Sequence, residues 1–492
     1  MSLDSDAAQA WFHPRSILVT GASRDRVTLA NLFLRRQREF GYSGPIHVLH
    51  PVAAEIEGFP CVPSFDALPE PIDFAYVAIP APRVPAFLSR AAGRLRVAQI
   101  VTAGFREAGR DGRRLEAEMV DAARSSGIRL VGPNCMGSYS PGGRLTMVDG
   151  APREPGDIGV ASQSGVAAAD VIKMGRFGGG RFTQVVSLGN CADIDVVDLF
   201  EYFAADPATG VIGLYLEGLE RGRAFVDVAR RVEGAKPTVV LKGGMTDQGQ
   251  RSVASHTGAL ASDHRIWHGL AAQLGFLLKD SLDGFVSSLV CFSHWRRSPA
   301  SVGRRCCIVG PGGVLSVLGT DLLRRSGFDV PRLGAATIAR LEEFGFPPGS
   351  SLLNPIDTPV GVMQAQGGHA FGRILDIVAA AGDADWFVIH LSLQNLYSYL
   401  GDPDTALENG VSGVLDVAMR FNASARWAVV LRTNDDPALD GRRTQYRERM
   451  ANQGIPVFRS LESAADAMRD FVRWHEHGAG ARNRGLSERT MQ

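Results

Sequence analysis

No run of about 18 consecutive apolar residues occurs anywhere in the 492-residue sequence, so no segment reads as a membrane-spanning helix. Charge of neither sign is in excess, with 52 Lys+Arg against 52 Asp+Glu. A nucleic-acid binder normally carries a basic surplus, so that class is disfavoured, although a local basic patch remains compatible. Cysteine is sparse. The six residues Cys61, Cys135, Cys191, Cys291, Cys306 and Cys307 include no CxxC pair, which excludes a disulfide framework and a cysteine-type zinc site. No GxxxxGK[ST] is present, so the chain is not a P-loop nucleoside triphosphatase, and the first glycine turn is not GxGxxG. The start, MSLDSDAAQAWFHPRS, has acidic residues and no apolar core, unlike a signal peptide. The expected location is cytoplasmic and reducing.

What is present is alternation. The length predicts two to four domains, and 45% hydrophobic with 21% charged residues is ordinary for a globular protein. Short apolar runs alternate with helical patterns: SILVTG (16–21), FAYVAIP (74–80), AQIVTAG (98–104) and RLVG (129–132) in a first run. A Pro/Gly-rich break, SPGGR to APREPG, precedes a second run with IGVAS (158–162), FTQVVSLG (182–189), VIGLYLEG (211–218) and PTVVLKGG (237–244). The polar stretch HWRRSPASVGRR (294–305) reads as a linker to a third run containing CCIVG, WFVIHLS, WAVVLR and IPVF. This punctuation predicts an α/β chain of three doubly wound parallel-sheet domains. The predicted bounds are 1–145, 152–298 and 303–476, with 477–492 as a disordered tail.

Glycines recur where strands end, at Gly21, Gly104, Gly165, Gly189, Gly218, Gly243 and Gly312. Ligands of open α/β sheets bind beyond the carboxyl ends of the strands. Glycine lets backbone N–H groups approach them, and a following helix N-terminus attracts anions. Three turns have this layout: TGASRDRVTL (20–29), ASQSGVAAAD (161–170) and VGPGGVLSVL (309–318). The second offers Ser162, Ser164 and the Gly165 amide to a phosphate. By themselves these turns read equally as tight strand–helix connections, the second with a serine N-cap.

RSVASHTGALA (251–261) sets His256 among small residues, which reads as an accessible loop. Imidazole with one neutral nitrogen is a competent nucleophile. Glu217, in LYLEGLE at the end of an apolar strand, is the candidate to hold its other nitrogen; a solvated loop charge is the alternative reading. With phosphate-type turns available, the coherent assembly is a histidine that accepts a phosphoryl group. No second His, Cys or Asp lies at ligand spacing beside it, so no metal site is expected. His264 and His268 lack the Glu of HExxH and read as surface or packing residues.

Taken in order, GASRD, VAIPAPRVP, VTAGFREAG, GPNCMG, SQSG, VSLGN, LYLEG, VLKGG and SHTGALA resemble the NDP-forming acyl-CoA synthetases, the superfamily of ADP-forming acetyl-CoA synthetase and succinyl-CoA synthetase. NPID (354–357) extends the resemblance, which covers roughly residues 10–475. It implies a Rossmann-like CoA-binding domain followed by two flavodoxin-like ligase domains. It implies phosphorylation at His256, with Glu217 supporting it, and phosphate-holding helix starts at Ser164–Gly165 and Gly312–Gly313. CoA contacts match the Gly21–Ser23 turn, Ile79–Pro80, Thr102–Gly104 and Asn134–Cys135. The implied reaction converts acid, CoA and nucleoside triphosphate to acyl-CoA, nucleoside diphosphate and phosphate. Nothing in the sequence resembles an ATP-grasp domain, so ATP and magnesium are expected on a separate ATP-grasp β subunit of a hetero-oligomer.

Three positions lose a basic residue relative to the family pattern, Val52 and Cys191 where lysine is common and Met245 in place of a basic residue, and GALASDH lacks the glycine of GALAGSD. Two other readings therefore remain: a CoA-dependent acyl or carbamoyl transferase without nucleotide, and a non-catalytic acyl-CoA-binding module. The identity of the carboxylic acid is not legible.

Overall fold

The computed structural model describes residues 3–257, 263–348 and 350–490; the side chains of 254–257 and 481–490 lie outside that description. The first sheet comprises β1 (Ile17–Thr20), β2 (Ile46–Leu49), β3 (Glu55–Ile56), β4 (Phe59–Val62), β5 (Ile72–Val77), β6 (Leu95–Ile100) and β7 (Arg129–Val131). Their order is β3-β4-β2-β1-β5-β6-β7, parallel except for the β3–β4 hairpin. Every residue of β1 and β5 is buried, as a sheet covered on both faces requires. The winding reverses between β1 and β5, which opens a crevice at their carboxyl ends. The helix Leu29–Phe40 that leaves this crevice starts on a Thr28–Asn31 capping box and stops at Gly41, whose φ is +87°.

The second sheet contains β8 (Ser138–Tyr139), β9 (Ile158–Ser162), β10 (Phe182–Ser187), β11 (Val211–Leu216), β12 (Thr238–Lys242) and β13 (Leu277–Lys279). Its order is β13-β12-β11-β9-β10-β8. All pairs are parallel apart from the antiparallel edge strand β8. β8 follows β7 in the chain yet bonds to β10, so the first two sheets are tied together just beyond the end of the first. The Trp11 indole donates to Ser138 Oγ at 2.9 Å, and Ser138 Oγ donates to Gln99 Oε1 of β6 at 3.0 Å. Trp11 and Phe12 are wholly buried in a core shared by β1, β10 and the helix Val196–Ala205. Residues 1–176 and 181–289 accordingly form one compact unit.

Residues 177–180 and 290–492 form the other unit. Its sheet has β14 (Cys306–Gly310), β15 (Ile356–Asp357), β16 (Trp386–Ser392), β17 (Arg426–Arg432) and β18 (Val457–Phe458) in the order β15-β14-β16-β17-β18, all parallel. The segment expected as a linker is anchored here. The Arg426 guanidinium donates to the carbonyls of Ser301 at 3.0 Å and Ala300 at 2.8 Å, and burial pulls its pKa down to about 10. The last helix, Leu461–Thr490, runs on through the tail for which the sequence predicts disorder. Its Ala, Arg, Leu and Glu are good helix formers even though no apolar stripe repeats. No helix among the described residues is long and apolar enough to cross a membrane.

His390 lies at the end of β16, wholly buried, with Nε2 3.5 Å from Ser316 Oγ. Burial, aided by Arg432, pulls its pKa from 6.5 to about 4. The unfolded chain binds this proton between those values and the folded one does not, so stability falls as pH drops from about 6.5 towards 4, by roughly 3 kcal/mol at most. Melting scans from pH 7.5 to 4.5 should show His390→Gln losing distinctly less stability than the parent. Parallel losses would remove His390 as a source of acid sensitivity.

Candidate functional site

The carboxyl ends of β1, β5, β6 and β7 are joined by short side-chain bonds. Gly21 has φ +93°, and a Cβ there would lie 2.2 Å from the Ala78 carbonyl oxygen, so only glycine fits. Asn31 holds the main chain of Ser23 on both sides, accepting from its N–H at 3.0 Å and donating to its carbonyl at 2.9 Å. Thr102 Oγ1 donates to the Ile79 carbonyl at 2.7 Å, just before Pro80 opens a short 3-10 turn. The Asn134 N–H, at a residue with φ +57°, donates to the Thr102 carbonyl at 3.0 Å. Ile79, Thr102 and Asn134 are thus one connected rim. The Cys135 thiol is turned inward, 3.4 Å from the Ile100 carbonyl, and burial pushes its pKa up to about 12.

At the end of β9, Ser162 is fully buried. Its hydroxyl donates to the Ser164 carbonyl at 2.7 Å and accepts the Ser164 N–H at 3.2 Å. Ser162 therefore shapes the turn from inside. Ser164 Oγ caps the helix Gly165–Phe177 by accepting from Ala167 N at 3.3 Å. The start of a helix of this length favours anions.

Glu217 follows β11 and is 7% exposed. Its main chain is welded to the phosphate-type turn by Gln163. The Gln163 Oε1 accepts from the N–H groups of Glu217 at 2.5 Å and Gly218 at 3.0 Å, while Nε2 donates to the Gly218 carbonyl at 2.9 Å. Tyr215 donates its hydroxyl to Glu217 Oε1 at 3.2 Å; burial first, then the carboxylate, push the phenol up to about 12. Lys242, 5% exposed at the end of β12, donates Nζ to the Glu217 carbonyl at 2.9 Å and to the Gly243 carbonyl. Burial lowers the lysine's pKa, and the nearby Glu217 charge opposes that shift.

The backbone corrects the expectation of a loop at His256. Asp247–Thr257 is helical, begun by Thr246, whose Oγ1 accepts the Gly249 N–H at 3.1 Å. Small polar residues carry no apolar stripe, so the sequence pattern alone reads as a loop. The His256 side chain and residues 258–262 lie outside the described residues. The helix packs against the turn Arg106–Ala108. His264 and His268 are exposed on the next helix, ring centres 6.4 Å apart.

The GPGG turn belongs to the other compact unit. Gly312 has φ +110° and its N–H already donates to Asp357 Oδ1 at 2.8 Å, so Gly313 begins the helix Gly313–Arg325 beside a carboxylate. Within SQSG, VLKGG and VSLGN the glycines and serines carry the sequence signal, whereas Gln163, Lys242 and Asn190 carry none, because their roles depend on partners 54, 25 and 83 residues away.

Removing the Lys242 ammonium while keeping the side-chain length, as in Lys242→Met, strands the buried Glu217 carbonyl and the half-buried Gly243 carbonyl. Urea denaturation should show a loss of about 1–3 kcal/mol. An unchanged midpoint would mean that water replaces the ammonium.

Comparison with known proteins adds sequence evidence to this geometry. A model of a CoA binding domain matches residues 15–141, and one of a succinyl-CoA ligase like flavodoxin domain matches residues 155–292. Acetate–CoA ligase [ADP-forming] I of Archaeoglobus fulgidus is 34% identical over 378 residues, 76% of this chain and 53% of that enzyme, so the chain spans about half that relative's length. The alpha subunit of acetate–CoA ligase [ADP-forming] II of Pyrococcus furiosus is 32% identical over 348 residues, 70% of this chain and 75% of that subunit. Among solved structures, the dinucleotide-forming acetyl-coenzyme A synthetase 1 of Ca. Korarchaeum cryptofilum, in complex with phosphate and ADP, superposes with TM-score 0.81 at 28% identity, covering 97% of this chain and 99% of that one. With its glycine-lined crevice in the CoA-binding sheet and its Glu217–Gln163 turn in the succinyl-CoA-ligase-like sheet, the chain belongs to the NDP-forming acyl-CoA synthetases, a family of acid–thiol ligases.

Proposed function

We propose that the chain is the α-type subunit of an enzyme that converts a carboxylic acid, CoA and ATP to acyl-CoA, ADP and phosphate, through phospho-His256 and an acyl phosphate. The observation that carries this reading is the Gln163 clamp. One amide fastens the buried Glu217 to the helix start at Ser164–Gly165, so a carboxylate and an anion-favouring helix end form a single rigid piece.

A ring nitrogen of His256 takes the terminal phosphoryl group of the nucleotide, releasing ADP. Glu217 holds the ring's other N–H and stabilises the cationic product. The acid's carboxylate oxygen then attacks phosphorus, forming an acyl phosphate and returning neutral His256. The CoA thiolate attacks the acyl carbon and expels inorganic phosphate. The Gly165 helix start favours the phosphoryl oxygens during both transfers, with Ser162 and Ser164 keeping the turn in shape. CoA lies along the rim built from Gly21, Ser23, Ile79, Pro80, Thr102, Gly104, Asn134 and the main chain of Cys135. ATP and magnesium are assigned to an ATP-grasp β subunit, and the Gly312–Gly313 turn supplies a second anion-favouring helix end. A cytoplasmic setting suits the six free cysteines.

Incubation with acetyl phosphate should place an acid-labile, base-stable phosphate on the wild-type chain and none on His256→Ala. Glu217→Gln should slow labelling about 10²–10⁴-fold with CoA affinity unchanged. Undiminished labelling of His256→Ala sinks the assignment.

Acid, CoA, ATP and magnesium together should yield no thioester with the isolated chain. Synthesis should appear when an ATP-grasp subunit is added. Robust synthesis by the chain alone would overturn the division of labour.

A further inference from the structure

Asn190, in the turn after β10, spends all its polar groups on the other sheet of its unit. It is 1% exposed. Its Nδ2 donates to Glu107 Oε2 at 2.6 Å and to Glu116 Oε2 at 2.8 Å. Its Oδ1 lies 3.4 Å from Asn134 Nδ2. Its main-chain N–H donates to the Pro133 carbonyl at 2.9 Å, and its carbonyl accepts from Arg106. Glu107 carries the link onward, its Oε1 accepting from the N–H groups of Gly104 at 2.6 Å and Phe105 at 3.1 Å. On the other side Cys191 Sγ lies 3.7 Å from Gln163 Nε2, the amide that holds Glu217. A chain of contacts therefore runs from the Gly104 turn to the Glu217 turn, and Asn190 is its hub.

We propose that Asn190 is a positioning residue: through Glu107 and Glu116 it fixes the Thr102–Gly104 turn against the Glu217 turn and so sets the affinity for CoA. The proposal rests on the reading of the Thr102–Gly104 turn as part of the CoA rim. Two carboxylates sharing one amide donor is a costly arrangement for packing alone. Burial drives the Glu116 carboxyl up, against Asn190 and Arg106. Burial also pushes Glu107 up, but Asn190 and the Gly104 and Phe105 amides outweigh it and hold that carboxyl below its usual range. The Arg106 guanidinium, 3.6 Å from Glu116, partly balances the pair. Asn190 donates to both carboxylates at once, and a polar cluster tied through one donor in this way specifies one geometry. The geometry it specifies lies at strand ends, where ligands bind.

The test uses the full chain. CoA affinity is measured by calorimetry, His256 labelling with acetyl phosphate, and melting temperature in the same buffer. Asn190→Ala and Glu107→Ala should weaken CoA binding by about tenfold or more while labelling stays within about threefold. Glu107→Gln can keep accepting from the Gly104 amide only by turning its own N–H groups onto Asn190 Nδ2, so it breaks the same link and should also weaken CoA binding by about tenfold. Equal CoA affinity in wild type and Asn190→Ala overturns the proposal alone. So does a fall of labelling and affinity together in step with melting temperature, which marks a purely structural role. A wild type that binds no CoA overturns the reading of the rim, and the proposal with it.

Discussion

Two sheets can serve one reaction only if their carboxyl ends meet, and here the meeting depends on a missing side chain. Gly189, with φ +53°, brings the turn after β10 so close to the turn after β7 that a Cβ would lie 2.1 Å from the Pro133 carbonyl oxygen and 2.3 Å from that of Asn134. Backbone thus touches backbone, and the Asn190 N–H reaches Pro133. The antiparallel strand β8 then draws the chain from the first sheet onto the edge of the second. The rim around Thr102, the Asn190 hub and the Gln163 clamp all presuppose this contact.

The three doubly wound sheets were legible because parallel strands buried on both faces leave continuous apolar runs such as β5 and β16. The glycine turns were legible because positive φ restricts residue choice, as at Gly21. β8 was not, since two residues at a sheet edge have no periodicity. Nor was the helix bearing His256, whose small polar residues satisfy no amphipathic pattern. His256 and Glu217 were legible from an accessible imidazole and a strand-end carboxylate, and the resemblance agreed, but the residues that hold Glu217 in place act across long sequence separations. Gln163 looks like a spacer between two serines until its amide is seen to bridge two strand ends.

The three positions that lose a basic residue have distinct surroundings. Val52 is 83% exposed, and the turn it occupies is shaped by His50, whose Nδ1 accepts the Ala53 N–H at 3.0 Å. Met245 packs partly buried against the core of its unit. Cys191 adopts φ +57° beside Asn190, and burial pushes its thiol up to about 12, so it is a neutral, compact side chain where a long cation would otherwise stand.

Asp357 gives the GPGG turn of the other unit a character different from that of its counterpart at Ser164–Gly165. The Gly312 amide already holds a carboxylate. The Asp357 side chain stays tethered beside the turn, so a second negative group there would add charge to charge, and this helix start would admit an anion only if that carboxylate swung away from the Gly312 amide.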